Sequence, residues 1–355
     1  MDNINLEKLV RPIIKSIKSY SSARNEFYNL DEDKIFMDAN ENPYKNDVNR
    51  YPDPFQVKLK KSIASLKLIN SDQILLGNGS DEILDIIIRT FCEPNKDEVI
   101  LLPPTYGMYE VLSNINQSII KKVKLNDEFE LNLDLIFNNI SNKTKIIFIC
   151  SPNNPTGNAL PTDQIISILD NFFGIVVLDE AYIDFSESES LIGLIKKYPN
   201  LIICQTFSKA YGMAGIRLGM CFANSIFIYY FNKIKPPYNV NSLTQDRALK
   251  LLESPEKINK GINEILGERK KIEKQLMKFK FIKKIFPSDA NFLLIMVDNA
   301  DKRYNQFLSK GLVLRNRSHL SGCENTLRVT IGTPKENIKF INICKEIDVW
   351  KKYFL

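Results

Sequence analysis

Histidine is nearly absent from this sequence, which has a single one, His319, among 355 residues. One histidine excludes metal sites built from several histidines, and we expect no metal centre. It also leaves a serine–histidine–aspartate triad only one possible base. An enzyme with this composition would therefore move its protons through another group.

Cysteine pairs and apolar runs of membrane length are also missing. The six cysteines show no C-x-x-C spacing, and four lie in or beside apolar runs, where a reduced thiol acts as a small hydrophobic side chain. No stretch approaches the ~18 apolar residues of a membrane span, and charges interrupt residues 1–18, which excludes a signal-peptide core. We therefore predict a cytoplasmic protein without disulfides or a membrane partner.

Dense charge of one sign is missing as well. The 48 lysine and arginine residues are interspersed with 42 aspartate and glutamate residues, and the net charge is only +6. Proteins that neutralise a nucleic-acid backbone usually carry a concentrated cationic block. Nucleic acid is therefore not an expected partner.

Short apolar runs alternate with helical segments between about residues 70 and 235. This alternation predicts an α/β fold, a mostly parallel sheet covered by helices on both faces. From about residue 241, a long charged helix pattern and two strands indicate a smaller α+β domain. The length also favours two domains. We predict a large domain over 35–240, and a small α+β domain over 241–355 together with the N-terminal segment 1–34.

Polar residues follow several predicted strands, at the edge where open parallel sheets bind their ligands. Gly79 and Ser80 begin a helix after one strand, and free amides at a helix start attract phosphate. The turn SPNNPTG, residues 151–157, holds Asn154 after another strand. A capped helix and a plain turn, neither of them binding a ligand, would explain these two features equally well.

The next two strands end at chemically reactive residues. Asp179 follows IVVL and could be the Mg²⁺-binding acid of an ATPase, but the chain has no Gly-Lys dipeptide and so no matching phosphate loop. Ser208 and Lys209 lie in TFSKAYGMAGIRLG (206–219), a run of small and apolar residues that also contains Arg217. A buried lysine needs a partner or a chemical role.

One cofactor would use all of these groups, namely pyridoxal 5′-phosphate. Its aldehyde forms a Schiff base with a lysine, and its phosphate suits a helix N-terminus and an arginine. Its pyridine nitrogen needs a carboxylate that keeps it protonated, because the ring is otherwise a poor electron sink. We therefore expect this cofactor at the strand ends.

The motifs resemble those of the pyridoxal-phosphate enzymes with the aspartate-aminotransferase fold, and among them the histidinol-phosphate aminotransferases, over nearly the whole chain. The matching stretches are DANENPY (38–44), RYPDP (50–54), GNGSDE (77–82), PPTYGMYE (103–110), SPNNPTG (151–157), DEAYIDF (179–185), TFSKAYGMAGIRLG (206–219), VLRNRS (313–318) and LRVTIGT (327–333). The resemblance implies a homodimer that interconverts L-histidinol phosphate and 2-oxoglutarate with imidazole-acetol phosphate and L-glutamate, a step of histidine biosynthesis.

The resemblance also implies roles at the cofactor. Lys209 would bind the aldehyde and then move a proton between the substrate and the cofactor. Asp179 would pair with the ring nitrogen, while Asn154 and Tyr182 would hydrogen-bond the ring hydroxyl oxygen. Tyr106 would stack on the ring face. The implied phosphate ligands are the amides of Gly79 and Ser80, the side chains of Ser208 and Arg217, and Tyr51 of the neighbouring subunit.

The implied substrate residues are Tyr20, Arg24, Asn42, Arg315 and Arg328. Arg328 would bind the carboxylate of glutamate or 2-oxoglutarate. Tyr20, Arg24 and Arg315, again with Arg328, would bind the phosphate of histidinol phosphate. The chain departs from the family pattern at Ser19, where a proline is usual, and at SHLSG (318–322), so the pocket around Tyr20 and His319 is expected to differ. Because a lysine supplies the base, we expect His319 on a loop surface.

Two enzymes of the same fold stay open as alternatives: an aromatic aminotransferase and a decarboxylase acting on a substrate such as threonine phosphate. A regulator that keeps the fold as a sensor carries an N-terminal DNA-binding domain, and with about thirty residues before FMDANENPY we do not expect this chain to be one. A scaffold protein would not need strand-end groups that all match one cofactor.

Overall fold

The computed structural model describes residues 5–20 and 35–349, and the strands in these ranges form two separate sheets. The larger sheet has seven strands: β1 Ile74–Asn78, β2 Glu98–Leu101, β3 Ile119–Lys122, β4 Thr144–Cys150, β5 Ile175–Asp179, β6 Leu201–Thr206 and β7 Leu218–Phe222. The smaller sheet has four: β8 Ile282–Ile285, β9 Phe292–Val297, β10 Arg315–Asn316 and β11 Thr326–Thr330.

Asparagine begins many of the helices. The α-helices of the described ranges are α1 Leu6–Leu9, α2 Pro12–Ser16, α3 Val57–Lys67, α4 Gly79–Phe91, α5 Met108–Ile115, α6 Leu133–Asn139, α7 Thr162–Asn171, α8 Ser225–Ile234, α9 Ser242–Leu252, α10 Pro255–Leu276, α11 Ala300–Ser309 and α12 Pro334–Val349. In α1, α6, α8, α9 and α11, the residue before the helix is an asparagine whose side chain accepts a backbone N–H of the first turn. Within residues 5–20 and 35–349, no helix has the length and apolarity needed to cross a bilayer.

The larger sheet is parallel except for one strand. Its order is β1-β7-β6-β5-β4-β2-β3, and β7 runs antiparallel to both of its neighbours. Successive residues of a strand enter different cores: Ile175 and Val177 of β5 pack in one cluster, and Val176 and Leu178 in another. Both faces are therefore covered, which explains the continuous apolar runs of the sequence.

This topology brings distant residues to one edge. Asp179 of β5 is paired with Cys150 of β4 and with Cys204 of β6, so these parallel strands end side by side. Because β7 runs the opposite way, its first residue lies at that same edge, and the preceding residue is Arg217. The ends of three strands and the start of a fourth thus meet in one place.

The smaller sheet is antiparallel, with the order β10-β11-β9-β8, and has its own core. Residues of α10, α11 and α12 pack in that core, among them Leu276, Phe307 and Phe340. The predicted architecture of a mostly parallel sheet with a smaller α+β part is confirmed.

The domain boundaries at 35–240, and at 1–34 with 241–355, stay a prediction. Helices α1 and α2 contact α8, and Leu6, Val10 and Ile14 are buried in a core of the larger sheet. The guanidinium of Arg11 lies 3.1 Å from the Glu93 carboxylate. Residues 5–16 therefore pack against the large-sheet body rather than against the smaller sheet.

Candidate active site

A cavity of about 260 Å³ lies at the edge where β4, β5 and β6 end. Nine of the residues predicted from the sequence line it: Ser80, Tyr106, Asn154, Asp179, Tyr182, Ser208, Lys209, Arg217 and Arg328. A larger cavity, of about 330 Å³, lies between α3 and α10 and contains none of the predicted residues. Chemistry rather than size therefore identifies the candidate site.

One end of the cavity is suited to an anion. Gly79 has φ +76° and begins α4, and a Cβ atom there would lie 2.7 Å from the Arg217 guanidinium, so only glycine permits this approach. The Gly79 amide donates to the Arg217 carbonyl at 2.9 Å and is already used. The amides of Ser80 and Asp81, in the first turn of α4, lack helical partners. The helix start and the arginine together fit a phosphate group.

Tyr106 is held from two sides beside this end. Its hydroxyl donates to Asp81 at 3.0 Å, and its ring meets that of Tyr109 edge-on with centroids 5.5 Å apart. Burial, together with Asp81, raises the pKa of Tyr106. The Arg217 guanidinium lies 3.9 Å from the Asp81 carboxylate. These contacts fix an aromatic ring in the cavity wall before any ligand binds.

Asp179 is a buried carboxylate with two hydrogen-bond donors. It is 3% exposed, and its oxygens accept the Tyr109 hydroxyl at 2.6 Å and the Ala181 amide at 3.1 Å. Burial raises the pKa of Asp179 to about 6, and both donors oppose that rise. The group is therefore ionised at neutral pH and can pair with a cation, such as a protonated pyridine nitrogen.

Lys209 lies on the turn that follows β6. The flanking aromatic residues Phe207 and Tyr211 are buried with ring centroids 4.5 Å apart, and they anchor the turn in the core. The Lys209 Nζ lies 5.5 Å from the centroid of the Tyr182 ring. Burial and then Arg328 lower the pKa of Lys209, while Asp179 opposes them. The amine is therefore more often neutral than an exposed lysine, as a nucleophile and a base require.

Asn154, Tyr182 and Arg328 connect the two sheets. The Arg328 guanidinium donates to the Asn154 side-chain oxygen and lies over the ring of Phe292, 5.2 Å from its centroid. Tyr182 packs edge-on against the same ring, also at 5.2 Å. Burial raises the pKa of Tyr182, and Arg328 opposes the rise. One phenylalanine of β9 thus supports groups from both walls of the cavity.

Three arginines lie at or beside the end of the cavity that the smaller sheet forms, which we call the small-sheet end. Arg315 pairs with Arg328 across β10 and β11, and the Arg317 amide donates to Thr326 of β11 at 3.0 Å. Arg317 lines the cavity, and its Nε is buried without a hydrogen-bond partner. Burial, and next Arg328 and Arg315, lower the pKa of Arg317 to about 10. Among the described residues, no carboxylate lies within 4.0 Å of any of these three guanidinium groups.

Several predicted residues lie away from the cavity. Tyr20, Asn42, Tyr51 and Arg315 are exposed, and Tyr51 stacks on Tyr238 with ring centroids 4.4 Å apart. Arg24 lies outside the described residues. His319 is exposed, in agreement with the expected loop surface.

The sequence reasoning missed Tyr109 and Arg317. Each lies close to a predicted residue: Tyr109 lies in α5, three residues after Tyr106, and Arg317 follows the two-residue strand β10, two residues after Arg315. Neither spacing alone shows which side chain reaches the cavity. The register with the neighbouring elements decides that.

Comparison with known proteins places the chain in a family. Residues 26–343 match the model of aminotransferase class I and II. A relative from Flavobacterium psychrophilum named histidinol-phosphate aminotransferase is 54% identical over 347 residues, which is 98% of this chain and 100% of that protein.

Solved structures of similar proteins have the same fold. The histidinol-phosphate aminotransferase from Clostridium acetobutylicum is 27% identical with a TM-score of 0.78, covering 85% of this chain and 91% of that one. The histidinol-phosphate aminotransferase from Sinorhizobium meliloti, solved in complex with pyridoxal-5′-phosphate, is 20% identical with a TM-score of 0.77, covering 85% and 84%.

The cavity fits the cofactor, since the start of α4 with Arg217, a buried carboxylate and a half-buried lysine face one space. The comparisons confirm the predicted fold, the prediction of an enzyme, and pyridoxal phosphate as the cofactor. The chain belongs to the class I and II aminotransferases.

Proposed function

We propose that this chain is a histidinol-phosphate aminotransferase of histidine biosynthesis. It interconverts L-histidinol phosphate and 2-oxoglutarate with imidazole-acetol phosphate and L-glutamate. One observation carries the proposal: the cavity that holds Lys209 and Asp179 also holds two arginines, Arg317 and Arg328, without carboxylate partners among the described residues. Both amino donors, a phosphate monoester and a dicarboxylate, supply more than one negative charge.

When bound, pyridoxal phosphate supplies an aldehyde that condenses with an amine and a protonated ring that takes up the electron pair released at the substrate carbon. Lys209 would hold that aldehyde through its Nζ, and Asp179 would pair with the ring nitrogen. Asn154 and Tyr182 would hydrogen-bond the ring hydroxyl oxygen, and Tyr106 would cover the ring face. The phosphate would be bound by Ser80, Ser208 and Arg217, with Gly79 allowing the close approach of the arginine.

Lys209 would also move the proton. After the amino group of the substrate has taken its place, the Nζ is free, and its lowered pKa favours the neutral form that accepts the proton from the substrate Cα. Asp179 meanwhile keeps its negative charge beside the ring nitrogen, because its pKa of about 6 lies below neutral pH. Base and counter-ion thus belong to different groups.

The small-sheet arginines would orient the substrate. Arg328, already held by Asn154, would bind the α-carboxylate of glutamate, and Arg317 would bind the phosphate of histidinol phosphate through its unpartnered face. Tyr20, Arg24, Asn42 and Arg315 stay proposed members of the substrate site. An aromatic aminotransferase would need an apolar wall where this cavity has a second arginine.

We also propose a cytoplasmic homodimer with shared active sites. The segment 35–51 exposes large apolar side chains, including Ile35 at 89% and Met37 at 91%, which a second subunit would cover. Tyr51, at the end of this segment, is half exposed and does not line the cavity of its own chain. It would complete the phosphate site of the partner.

A turnover assay tests the function. Purified protein with histidinol phosphate and 2-oxoglutarate should form glutamate and imidazole-acetol phosphate in equal amounts. Released CO₂ with threonine phosphate would instead favour the decarboxylase, whose substrate also carries a carboxylate and a phosphate. A higher kcat/KM for phenylpyruvate than for imidazole-acetol phosphate, with glutamate as donor, would favour the aromatic aminotransferase.

A further inference from the structure

Asp179 contacts a side chain, Tyr109, for which no role was predicted from the sequence, although it lies in the same motif as Tyr106. Tyr109 of α5 is 0% exposed, and its hydroxyl donates to Asp179 at 2.6 Å. The Tyr109 ring stacks on Phe148 with centroids 4.9 Å apart and meets Tyr106 edge-on. Two aromatic contacts therefore fix the position of this hydroxyl.

The hydroxyl faces two groups, the Asp179 carboxylate at 2.6 Å and the Cys150 thiol, and the carboxylate is the stronger acceptor. A tyrosine has one O–H donor. The Cys150 thiol donates its own proton to the carbonyl of Pro152 at 3.5 Å, and its neutral sulfur is a weaker acceptor than an ionised carboxylate. The second donor to Asp179 is the backbone amide of Ala181, which is present whatever side chain stands there.

The rest of the surroundings favours the neutral acid. Burial is the largest influence on Asp179, and Asp81 adds repulsion, while Lys209 attracts. The titratable groups that face Asp179 are Asp81 of α4, Tyr106 and Tyr109 of the segment leading into and through α5, Cys150 of β4, Cys204 of β6, Tyr182 after β5 and Lys209 after β6. Lys209 is the one cation among them, and it forms no hydrogen bond to Asp179.

We propose that Tyr109 is a positioning residue whose hydroxyl holds Asp179 as an oriented carboxylate and thereby sets the acid limit of cofactor binding and turnover. The proposal rests on the proposed function, in which Asp179 pairs with the ring nitrogen of the cofactor. Without the hydroxyl, one oxygen of the buried carboxylate loses its donor. Charge-assisted hydrogen bonds of this kind shift a titration by roughly one to two pH units.

The direction of the effect follows from which form the hydroxyl stabilises. The donor binds the ionised carboxylate, so its removal raises the pKa of Asp179 above about 6. In a Tyr109→Phe variant, most Asp179 side chains would then be neutral near pH 7. Above about pH 8.5 they would be ionised again, and the variant should approach the parent.

The experiment compares Tyr109→Phe with the parent from pH 5.5 to 9. The affinity of the cofactor-free chain for pyridoxal phosphate is measured by absorbance titration at each pH. In the variant, the affinity should begin to fall at a pH roughly one to two units higher than in the parent. The kcat profile should shift in the same direction, with a loss of roughly three- to 25-fold at pH 6.5 and little loss at pH 8.5. The phenyl ring stays, so the stacking on Phe148 is retained.

Tyr198→Phe is the matched control. Tyr198 is 1% exposed, and its hydroxyl donates to Asp170 of α7 at 2.9 Å, outside the cavity. This variant also removes a buried tyrosine hydroxyl from an aspartate, but it should leave both pH profiles in place. A second variant carries 3-fluorotyrosine at position 109, whose hydroxyl is retained and is a stronger hydrogen-bond donor. Its cofactor affinity and kcat should begin to fall at a lower pH than those of the parent.

Two results would overturn the proposal. If Tyr109→Phe lowered cofactor affinity and kcat equally at every pH, the hydroxyl would have only a structural role. If neither the Phe nor the fluorotyrosine variant shifted the pH profiles, the ionisation of Asp179 would not depend on the hydroxyl. If the binding profile shifts but no variant, nor the parent, aminates imidazole-acetol phosphate, then the proposed substrate is wrong while the role of Tyr109 stands.

Discussion

The two ends of the cavity differ in how their charges are neutralised. At the large-sheet end, Asp81 accepts the Tyr106 hydroxyl and lies near Arg217, and Asp179 accepts two donors. At the small-sheet end, Arg317 and Arg328 face each other without a carboxylate among the described residues. The cofactor end is thus built from pairs within the protein, whereas the substrate end keeps charges that only a ligand can neutralise.

This difference matches the different needs of a cofactor that stays bound and of substrates that are exchanged in every cycle. A cofactor that stays bound profits from preorganised partners, because no reorganisation is needed when charge develops on it. Substrates must enter and leave twice per cycle, and unpaired guanidinium groups favour the entry of anions. Mutations at the two ends should therefore differ in kind as well as in size.

The largest effect is expected from Lys209→Ala at the cofactor end. Without the Nζ there is neither a covalent link to the cofactor nor a base, so turnover should fall on the order of 10⁴-fold or more. The cofactor should then dialyse away in an amine buffer. Lys250→Ala, an exposed lysine of α9, is the control and should keep both properties. Normal turnover of the Lys209 variant would refute the site.

Asp179→Asn should lower turnover at least about a hundredfold, because a neutral amide cannot hold the proton on the ring nitrogen. It should also stabilise the cofactor-free fold. Burial raises the pKa of Asp179 from 3.8 to about 6, so ionisation costs the folded chain roughly 3 kcal/mol above pH 6. Urea unfolding should show the gain at pH 7.5 and its disappearance near pH 4. A threefold loss of turnover or less would mean that the residue is misassigned.

At the substrate end, Arg328→Lys should weaken glutamate binding by roughly 1.5 to 3 kcal/mol, since lysine cannot grip a carboxylate through two parallel hydrogen bonds. The half-reaction with histidinol phosphate should lose less, because several donors share that phosphate. Single-turnover spectra can follow each half separately. Equal losses would contradict the shared-donor arrangement, and a larger loss with histidinol phosphate would make Arg328 chiefly a phosphate ligand.

The smallest effect is expected from Arg317→Gln. Loss of one of several phosphate donors should raise KM for histidinol phosphate about tenfold, or about 1.4 kcal/mol, with kcat little changed. Glutamate and dephosphorylated histidinol should be almost unaffected. A similar rise in KM for all three substrates would show that Arg317 supports the fold of the cavity rather than one substrate group.

The cofactor end was largely predictable from the sequence, and the substrate end was not. Asp179 and Lys209 each follow an apolar strand, and parallel strands end at a common edge whatever the rest of the fold does. Arg315 begins the short strand β10 and Arg317 directly follows it, and Arg315 was the one predicted from the sequence as a substrate residue. Which one reaches the cavity depends on the register with β11, a contact between distant segments that no local pattern specifies.

The hydrogen bonds at the cofactor end also depend on contacts between distant segments, so local sequence patterns did not predict them. The glycine at position 79 was correctly expected in a helix-start loop, but its amide is used by the Arg217 carbonyl rather than left for phosphate. That bond exists because β7 is inserted between β1 and β6 in the opposite direction. Tyr109 was missed for a similar reason, since its role needs α5 placed over the end of β5.

The reversed strand β7 has a consequence for folding. Gly219 lies opposite Gly77 in the β1 pairing, and a Cβ on it would come within 2.5 Å of the Ser80 amide nitrogen. The anion cradle therefore requires the first strand of the sheet to be paired with the last, a contact between distant segments of the chain. Pyridoxal phosphate binds that completed state and, at a hundred times its Kd, stabilises it by about 2.7 kcal/mol. Cofactor binding is therefore expected to stabilise the folded chain as well as to make it active.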